Sequence, residues 1–268
     1  MRWLRSAVIV LVAALAAACQ TVSTTQPGAV GVERKQHMLV SQADVEKGAV
    51  EAYRQELEKA REQGGLNADA QMYKRVQAIS QRLIPHTSVF RPDAPQWQWE
   101  VNVQTSEDVN AYCMPGGKIM VYTGLVEQLN ATDAELAAVI GHEIAHALRE
   151  HSRERISRAY AEQLALAGIA IATGAGQTTM QLASQVAAVT FTLPHSREQE
   201  AEADRIGLEL MARAGYDPNA SISLWQKMAK LGGSPPEFLS THPSSTSRIK
   251  DLEANIPRVL PLYQAAAR

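Results

Sequence analysis

Residues 142–146 read His-Glu-Ile-Ala-His. On a helix, side chains four apart share a face, so His142 and His146 can present ring nitrogens to one metal ion. Glu143 lies one step round and can face a water held at an open coordination position. Zinc with three protein ligands keeps its fourth position for water and lowers the pKa of that water to about 7. A carboxylate beside it can take the proton and return it to a leaving amine, which is the chemistry of peptide-bond hydrolysis. The competing reading is a charged helix that carries two histidines by chance. Context argues against it: Leu136, Val139, Ile140, Ala147 and Leu148 form an apolar face. Thr132-Asp133-Ala134-Glu135 also has the form of a capping box that would start such a helix.

A third ligand is needed, and the acidic run 196–204 offers one. Glu200 and Asp204 are again four apart, which suits one carboxylate on the metal and a second one beside it. A ligating histidine usually donates its other ring N–H to such a partner, which fixes its tautomer. Taken alone, Glu198, Glu200, Glu202 and Asp204 would read as a solvated acidic face; the upstream histidines change that reading. The expected cofactor is one zinc ion, although histidine and carboxylate ligands would also admit cobalt or manganese.

Four separated segments carry a family resemblance: Asn110-Ala111-Tyr112 through Pro115-Gly116-Gly117 with Thr123-Gly124-Leu125; Gly141-His142-Glu143 to His146; Ser196-Arg197 to Glu200 with Ala203-Asp204; and Thr241-His242-Pro243 with Arg248-Ile249. Together they resemble the HtpX and CAAX-prenyl-protease family of gluzincin zinc metalloendopeptidases (peptidase family M forty-eight), in particular its periplasmic lipoprotein-type members, over roughly residues 45–255. The resemblance implies that Glu200, rather than Glu198 or Glu202, is the zinc ligand, and that Asp204 supports a ligating histidine. It implies that Glu143 is the catalytic base and that the strand holding Asn110, Ala111 and Tyr112 aligns an extended substrate by β-augmentation. His242 is open between two roles, an added zinc ligand that keeps the site inactive or an oxyanion donor, the latter shared with Arg248; its plain reading is a turn histidine before Pro243. His151 and His195 read as structural, His37 and His86 as surface residues. The chain departs from membrane-embedded relatives in having no spanning helices, and from others in lacking a helical-repeat extension.

These residues need a scaffold, and the pattern predicts an α+β, mainly α, gluzincin-like metalloprotease fold with a small antiparallel sheet packed on the zinc-binding helices. Helices are predicted over 45–63 and 68–84, the second stopped by Pro85. Residues 97–104 alternate as a half-buried strand; 109–114 and 118–122 flank Pro115-Gly116-Gly117 as strand–loop–strand. The helix opened by Thr132 is expected to run past Arg155. Residues 164–189 read as two packed helices broken at 173–176. A further helix spans 196–214, with Ser196 and Gln199 in capping-box register and Gly215 as its stop. The next starts at Asp217-Pro218 and ends near Gly232-Gly233; a short last one covers 246–255.

The N-terminus reads as a targeting signal. Arg2 and Arg5 precede the apolar run 7–15, which is too short to span a bilayer. Ala16-Ala17-Ala18-Cys19 then resembles a lipoprotein processing box, so residues 1–18 are expected as signal peptide. Residues 19–40 are expected as a lipidated N-terminus with a flexible linker rich in Thr, Ser, Gly and Pro, and 41–268 as the metallopeptidase domain. The resemblance to lipoproteins implies that Gln20, rather than an aspartate, after Cys19 favours the periplasmic side of a bacterial outer membrane, with several acyl chains giving stable anchorage. With Cys19 lipidated, Cys113 has no disulfide partner and reads as a small buried hydrophobe. A formal charge of −2 over 268 residues gives no drive towards nucleic acid. The expected substrates are unfolded or misassembled envelope proteins, cleaved as quality control. The alternative is a zinc-bearing periplasmic chaperone with little proteolysis, and a structural lipoprotein that never binds metal is the third reading.

Overall fold

The computed structural model describes residues 20–167, 178–231, 237–243 and 246–266. The signal segment 1–18, the lipidation residue Cys19, the break at 173–176 and Gly232-Gly233 lie outside these. The architecture is α+β and mainly helical. Strands β1 (Gln20–Val22) and β2 (Gln36–Met38) pair antiparallel and are followed by α1 (Gln42–Glu62) and α2 (Ala70–Leu83). The side chains of Ser41 and Asp69 accept from first-turn N–H groups and so start these two helices.

Strands β3 (Glu100–Gln104), β4 (Ala111–Met114) and β5 (Lys118–Tyr122) form one sheet in the order β3-β5-β4. The expected antiparallel sheet is corrected to a mixed one: β4 and β5 are antiparallel, but β3 runs parallel to β5. The cause is the insertion of β5 between strands that are consecutive in sequence. The turn at Gly116 and Gly117, with φ of 79° and 82°, folds β5 straight back beside β4. Residues 105–110 meanwhile step across the width of one strand. A Cβ on Gly117 would also lie 2.6 Å from the Trp99 ring. Trp97 and Trp99 stack on each other just before β3, which shortens the strand expected from residue 97.

Helix α3 (Thr123–Gln128) leads to α4 (Asp133–Leu148), whose capping box between Thr132 and Glu135 is formed in full. The expected continuation past Arg155 does not occur. The helix breaks at Arg149-Glu150, where Glu150 takes φ 51° and pairs with Arg91 and Arg153; α5 (His151–Ala167) then sets off in a new direction. Next come α6 (Thr179–Phe191), α7 (Arg197–Arg213) with its own capping box, α8 (Ala220–Met228), α9 (Glu237–Thr241) and α10 (Thr246–Ala266). Helix α10 outruns the expected residue 255. Leu252 and Val259 bury against the core, and Pro257 and Pro261 fall on the exposed face, where carbonyls left unpaired by proline meet water.

Two features decide where the site can be. First, α4 and α7 cross at Gly141 and Gly207. A Cβ built on Gly207 would stand 2.7 Å from the His142 nitrogen and 2.9 Å from the Gly141 carbonyl carbon. Two backbones meet here because neither carries a side chain. Second, residues 20–40 are no flexible linker. Gly28 and Gly31, both with positive φ, turn the chain down onto α7, where Glu209 accepts from the Ala29 and Val30 N–H groups and Val30 and Val32 bury. Polar composition suggested a tether; the buried acceptor on α7 holds a strap. From that strap Arg34 pairs with both Glu154 (2.5 Å) and Glu202 (2.8 Å), while fully buried Arg149 reaches Glu202 from the α4 break.

Gly207→Ala should therefore force α4 and α7 apart and lower stability by about 1–3 kcal/mol, read as a fall in melting temperature together with weaker metal uptake. An unchanged melting curve would show that the crossing tolerates a methyl group. Burial pushes the Glu154 and Glu202 carboxyls up, but hydrogen bonds from Arg34, Gln199 and Gln36 to the first, and from His151 and Arg34 to the second, outweigh it. Both are held down at about 2, from an ordinary 4.5. The stability they contribute is thus complete above pH about 4.5 and lost as pH falls towards 2. In acid melts of metal-free protein, Arg34→Ala should flatten this dependence and lower stability at neutral pH.

Candidate metal centre

Helix α4 delivers His142 and His146 from adjacent turns, α7 delivers Glu200 from its first turn, and the residue after α9 is His242. One ligand atom from each of the four lies within 4.8 Å of the others, and all four residues are buried. Nε2 of His142 stands 3.0 Å from Nε2 of His146 and 3.3 Å from Nδ1 of His242. Glu200 Oε1 is 3.1 Å from His242 Nδ1 and 3.4 Å from His146 Nε2. Ligands bound tetrahedrally to zinc at about 2.0–2.1 Å stand about 3.3 Å from one another, so the spacing fits that ion.

Charge points the same way. Glu143, Glu200 and Asp204 converge in the buried centre, and Arg248 is the guanidinium paired with two of them: Nη1 lies 2.5 Å from Glu200 Oε2, and Nη2 and Nε reach Asp204 at 2.6 and 2.7 Å. Three carboxylates face one arginine; burial acts downward on the His242 ring but Glu143 and Glu200 raise it, so His242 offsets part of a deficit that a divalent cation would also balance. Burial pushes the His146 ring well below its usual range, which keeps the imidazole neutral and its lone pair available. For Glu200, burial acts upward, but the charges of His242 and Arg248 prevail and hold the carboxyl well below its usual range.

Asp204 lies 3.0 Å from Nδ1 of His142, so it accepts that N–H and leaves Nε2 facing the other ligand atoms. Glu143 sits one step round, with its carboxyl raised by burial. Its Oε1 is buried without a hydrogen-bond partner among the described residues, 3.5 Å from Nε2 of His242. His242 fills the remaining corner of the ligand set. Its ring is stacked between Phe238 (4.4 Å) and His195 (4.9 Å). Arg248, which the sequence offers as one candidate oxyanion donor, has its guanidinium on Asp204, Glu200 and the Pro243 carbonyl, 3.8 Å over the Trp225 ring.

The strand expected to align substrate is at the sheet edge. Ala111 and Tyr112 lie in β4 and Asn110 just before it, and all three are buried. Tyr112 packs edge-on against Phe191 at the end of α6 and against Tyr53 of α1. A cavity of about 410 Å³ opens at the start of β4, lined by Asn110, Asp108, Tyr122, Phe191 and Glu237. Another, of about 270 Å³ and lined by His195, Arg197, Glu200, Pro243 and Arg248, opens beside the ligand set. Cys113 is buried in β4 with its thiol pushed up by burial, as a packing residue should be.

Sequence reasoning missed the partners of His146. His151, read as structural, places Nδ1 2.8 Å from Nδ1 of His146 and Nε2 3.0 Å from Glu202. Glu202, to which the sequence assigns no role beyond not being the ligand, is buried. No spacing rule could have revealed this contact, because it depends on the break after Leu148.

Comparison with known proteins agrees with this geometry. The chain is 44% identical over 161 residues to the mitochondrial metalloendopeptidase OMA1 of Arabidopsis thaliana, covering 59% of this chain and 32% of the relative. It is 36% identical over 207 residues to the mitochondrial metalloendopeptidase OMA1 of Bos taurus, covering 72% and 39%. It is 28% identical over 201 residues to the beta-barrel assembly-enhancing protease of Escherichia coli strain K12, covering 70% and 39%. The chain thus spans well under half the length of these relatives. The model of peptidase family M48 matches residues 70–256, a stretch that holds the whole converging set from His142 to Arg248, and the chain belongs to that family.

Proposed function

We propose that the chain is a zinc-dependent metalloendopeptidase in which His142, His146 and Glu200 hold the ion and Glu143 is the general base. The observation that carries this reading is the buried convergence of these three ligands beside an unpartnered carboxylate oxygen of Glu143. When bound, zinc would supply a water acidified to near neutral pH and an electrophile for the scissile carbonyl. The chain's own residues do the rest. Asp204 holds the tautomer of His142, and Arg248 fixes both Asp204 and Glu200. Burial raises the carboxyl of Glu143 towards the range where a base can both take and return a proton. The proton taken from water would pass from Glu143 to the leaving amine. An extended substrate would lie along the edge of β4, whose start at Asn110 meets the cavity.

His242 decides whether water can enter. Its Nδ1 sits in the fourth corner of the ligand set, so the arrangement is closed, and hydrolysis requires the ring to leave its place between Phe238 and His195. We read His242 as an inhibitory ligand. The wider role is envelope protein quality control at the periplasmic face of a bacterial outer membrane, with lipid anchorage through Cys19. Support comes from the signal-like start, the small residues before Cys19 and the similarity to a protease named for β-barrel assembly. No described helix is long and apolar enough to cross a membrane. The closed site also favours a second reading, a zinc-bearing chaperone or assembly factor with little proteolysis.

Glu143→Gln should keep zinc and lower cleavage of an unfolded protein by about 10²–10⁴-fold, measured with metal analysis alongside. Cleavage that survives the substitution would remove Glu143 from the mechanism. His242→Ala should raise turnover by opening the fourth corner; equal activity and zinc affinity in both proteins would defeat the switch. If both wild type and His242→Ala suppress aggregation and cut nothing, the chaperone reading takes over.

A further inference from the structure

A zinc-ligating histidine gains basicity and a fixed orientation when its second ring nitrogen has a partner. His142 has Asp204 directly. For His146 the partner is another histidine, and the arrangement admits one proton order. The Glu202 carboxylate accepts hydrogen bonds and cannot donate, so Nε2 of His151, 3.0 Å from it, carries a proton. Nδ1 of the neutral His151 is then a lone pair, and at 2.8 Å it accepts the N–H of His146 Nδ1. That leaves Nε2 of His146 without a proton, pointing at His142 and Glu200.

This relay exists because α4 ends where it does. In a continuous helix, residues five apart stand about 140° round the axis and cannot touch. The positive φ of Glu150 breaks the helix, and each break residue is buried and held: Arg149 by Glu202 and the Arg34 carbonyl, Glu150 by Arg91 and Arg153, His151 by its two partners. Arg34 of the N-terminal strap pairs with Glu202 from the other side. Any buried histidine needs partners for both ring nitrogens; what marks His151 is that one partner is His146 of the converging set and the other an anchored carboxylate.

We propose that His151 is a positioning residue of the metal centre, acting through His146, and that Glu202, clamped by Arg149 and Arg34, fixes its tautomer. The proposal rests on the zinc reading above. It makes the strap, through Arg34, part of the support of the ion.

The test measures zinc affinity of the metal-free protein by competition with a chromophoric chelator, and the visible spectrum after cobalt loading, for wild type, His151→Ala and His151→Gln. The expected result is about 10–100-fold weaker zinc binding in His151→Ala, a changed cobalt spectrum, and partial rescue in His151→Gln, whose amide can both accept and donate. In the opened His242→Ala background, kcat should fall with KM little changed. If His151→Ala fails to fold, Glu202→Gln reads the same relay, with weaker zinc binding and an altered cobalt spectrum. Zinc affinity within twofold of wild type and an unaltered spectrum, in His151→Ala or in Glu202→Gln used in its place, would overturn the proposal. Wild type that binds no zinc would instead overturn the zinc reading on which it depends.

Discussion

Two helices carry three of the four candidate ligands of this site, and they must nearly touch for one ion to reach both. His142 and His146 come from α4, Glu200 from α7, and the ring nitrogens lie 3.4–3.6 Å from the Glu200 carboxylate across the gap. Side chains of ordinary size at the crossing would set the axes about 8–10 Å apart; Gly141 and Gly207 let the backbones themselves make contact. Much of the surrounding structure can be understood as holding that contact closed. Helix α10 covers α7 from outside, α8 and α9 bring Trp225 and Phe238 against the His142 ring, and the strap binds Glu209 two residues past Gly207.

Bringing the helices together concentrates charge in the protein interior. Glu143, Glu200 and Asp204 lie in one buried volume, with Glu202 and Glu154 close behind. Isolated buried carboxylates would cost several kcal/mol each, and they are tolerable only when paired and hydrogen-bonded. The pairing is divided by layer. Arg248 serves the two carboxylates next to the histidines; Arg149 and Arg34 serve those behind. Glu143 has no such arginine, and its carboxyl is raised where those of Glu200 and Asp204 are lowered. The three carboxyls have the same chemistry, and their pairing with Arg248 is what sets Glu200 and Asp204 apart from Glu143.

The sequence made the inner layer legible because helical spacing is a local rule. His142, Glu143 and His146 needed a helix to hold them, and Thr132 with Glu135 announced its start; Glu200 and Asp204 needed the helix that Ser196 caps. What was not legible depends on direction changes and close approach. Gly207 reads from sequence as a weak point in a helix, since its use appears only when a second backbone lies against it. The parallel pairing of β3 with β5 follows from which strand inserts in the middle, and periodicity is silent on that. The strap looks like a tether because its polar residues serve buried partners on α5 and α7 that lie far away in sequence.

The break at Glu150 shows why local reading stops where it does. A residue with φ 51° and two arginine partners costs backbone strain and must be fixed by contacts from elsewhere. Those contacts come from Arg91, ahead of the sheet, and from Arg153, one turn into α5. Once fixed, the break turns His151 back towards His146 and leaves Arg149 free to enter the core beside Glu202. Had α4 continued, the same three side chains would have pointed along successive faces of one rod, and Glu202 would have kept a buried charge without Arg149 or His151. The strain at one peptide is therefore offset by a hydrogen-bonded network that begins at Arg34 of the strap and ends at the ring of His146.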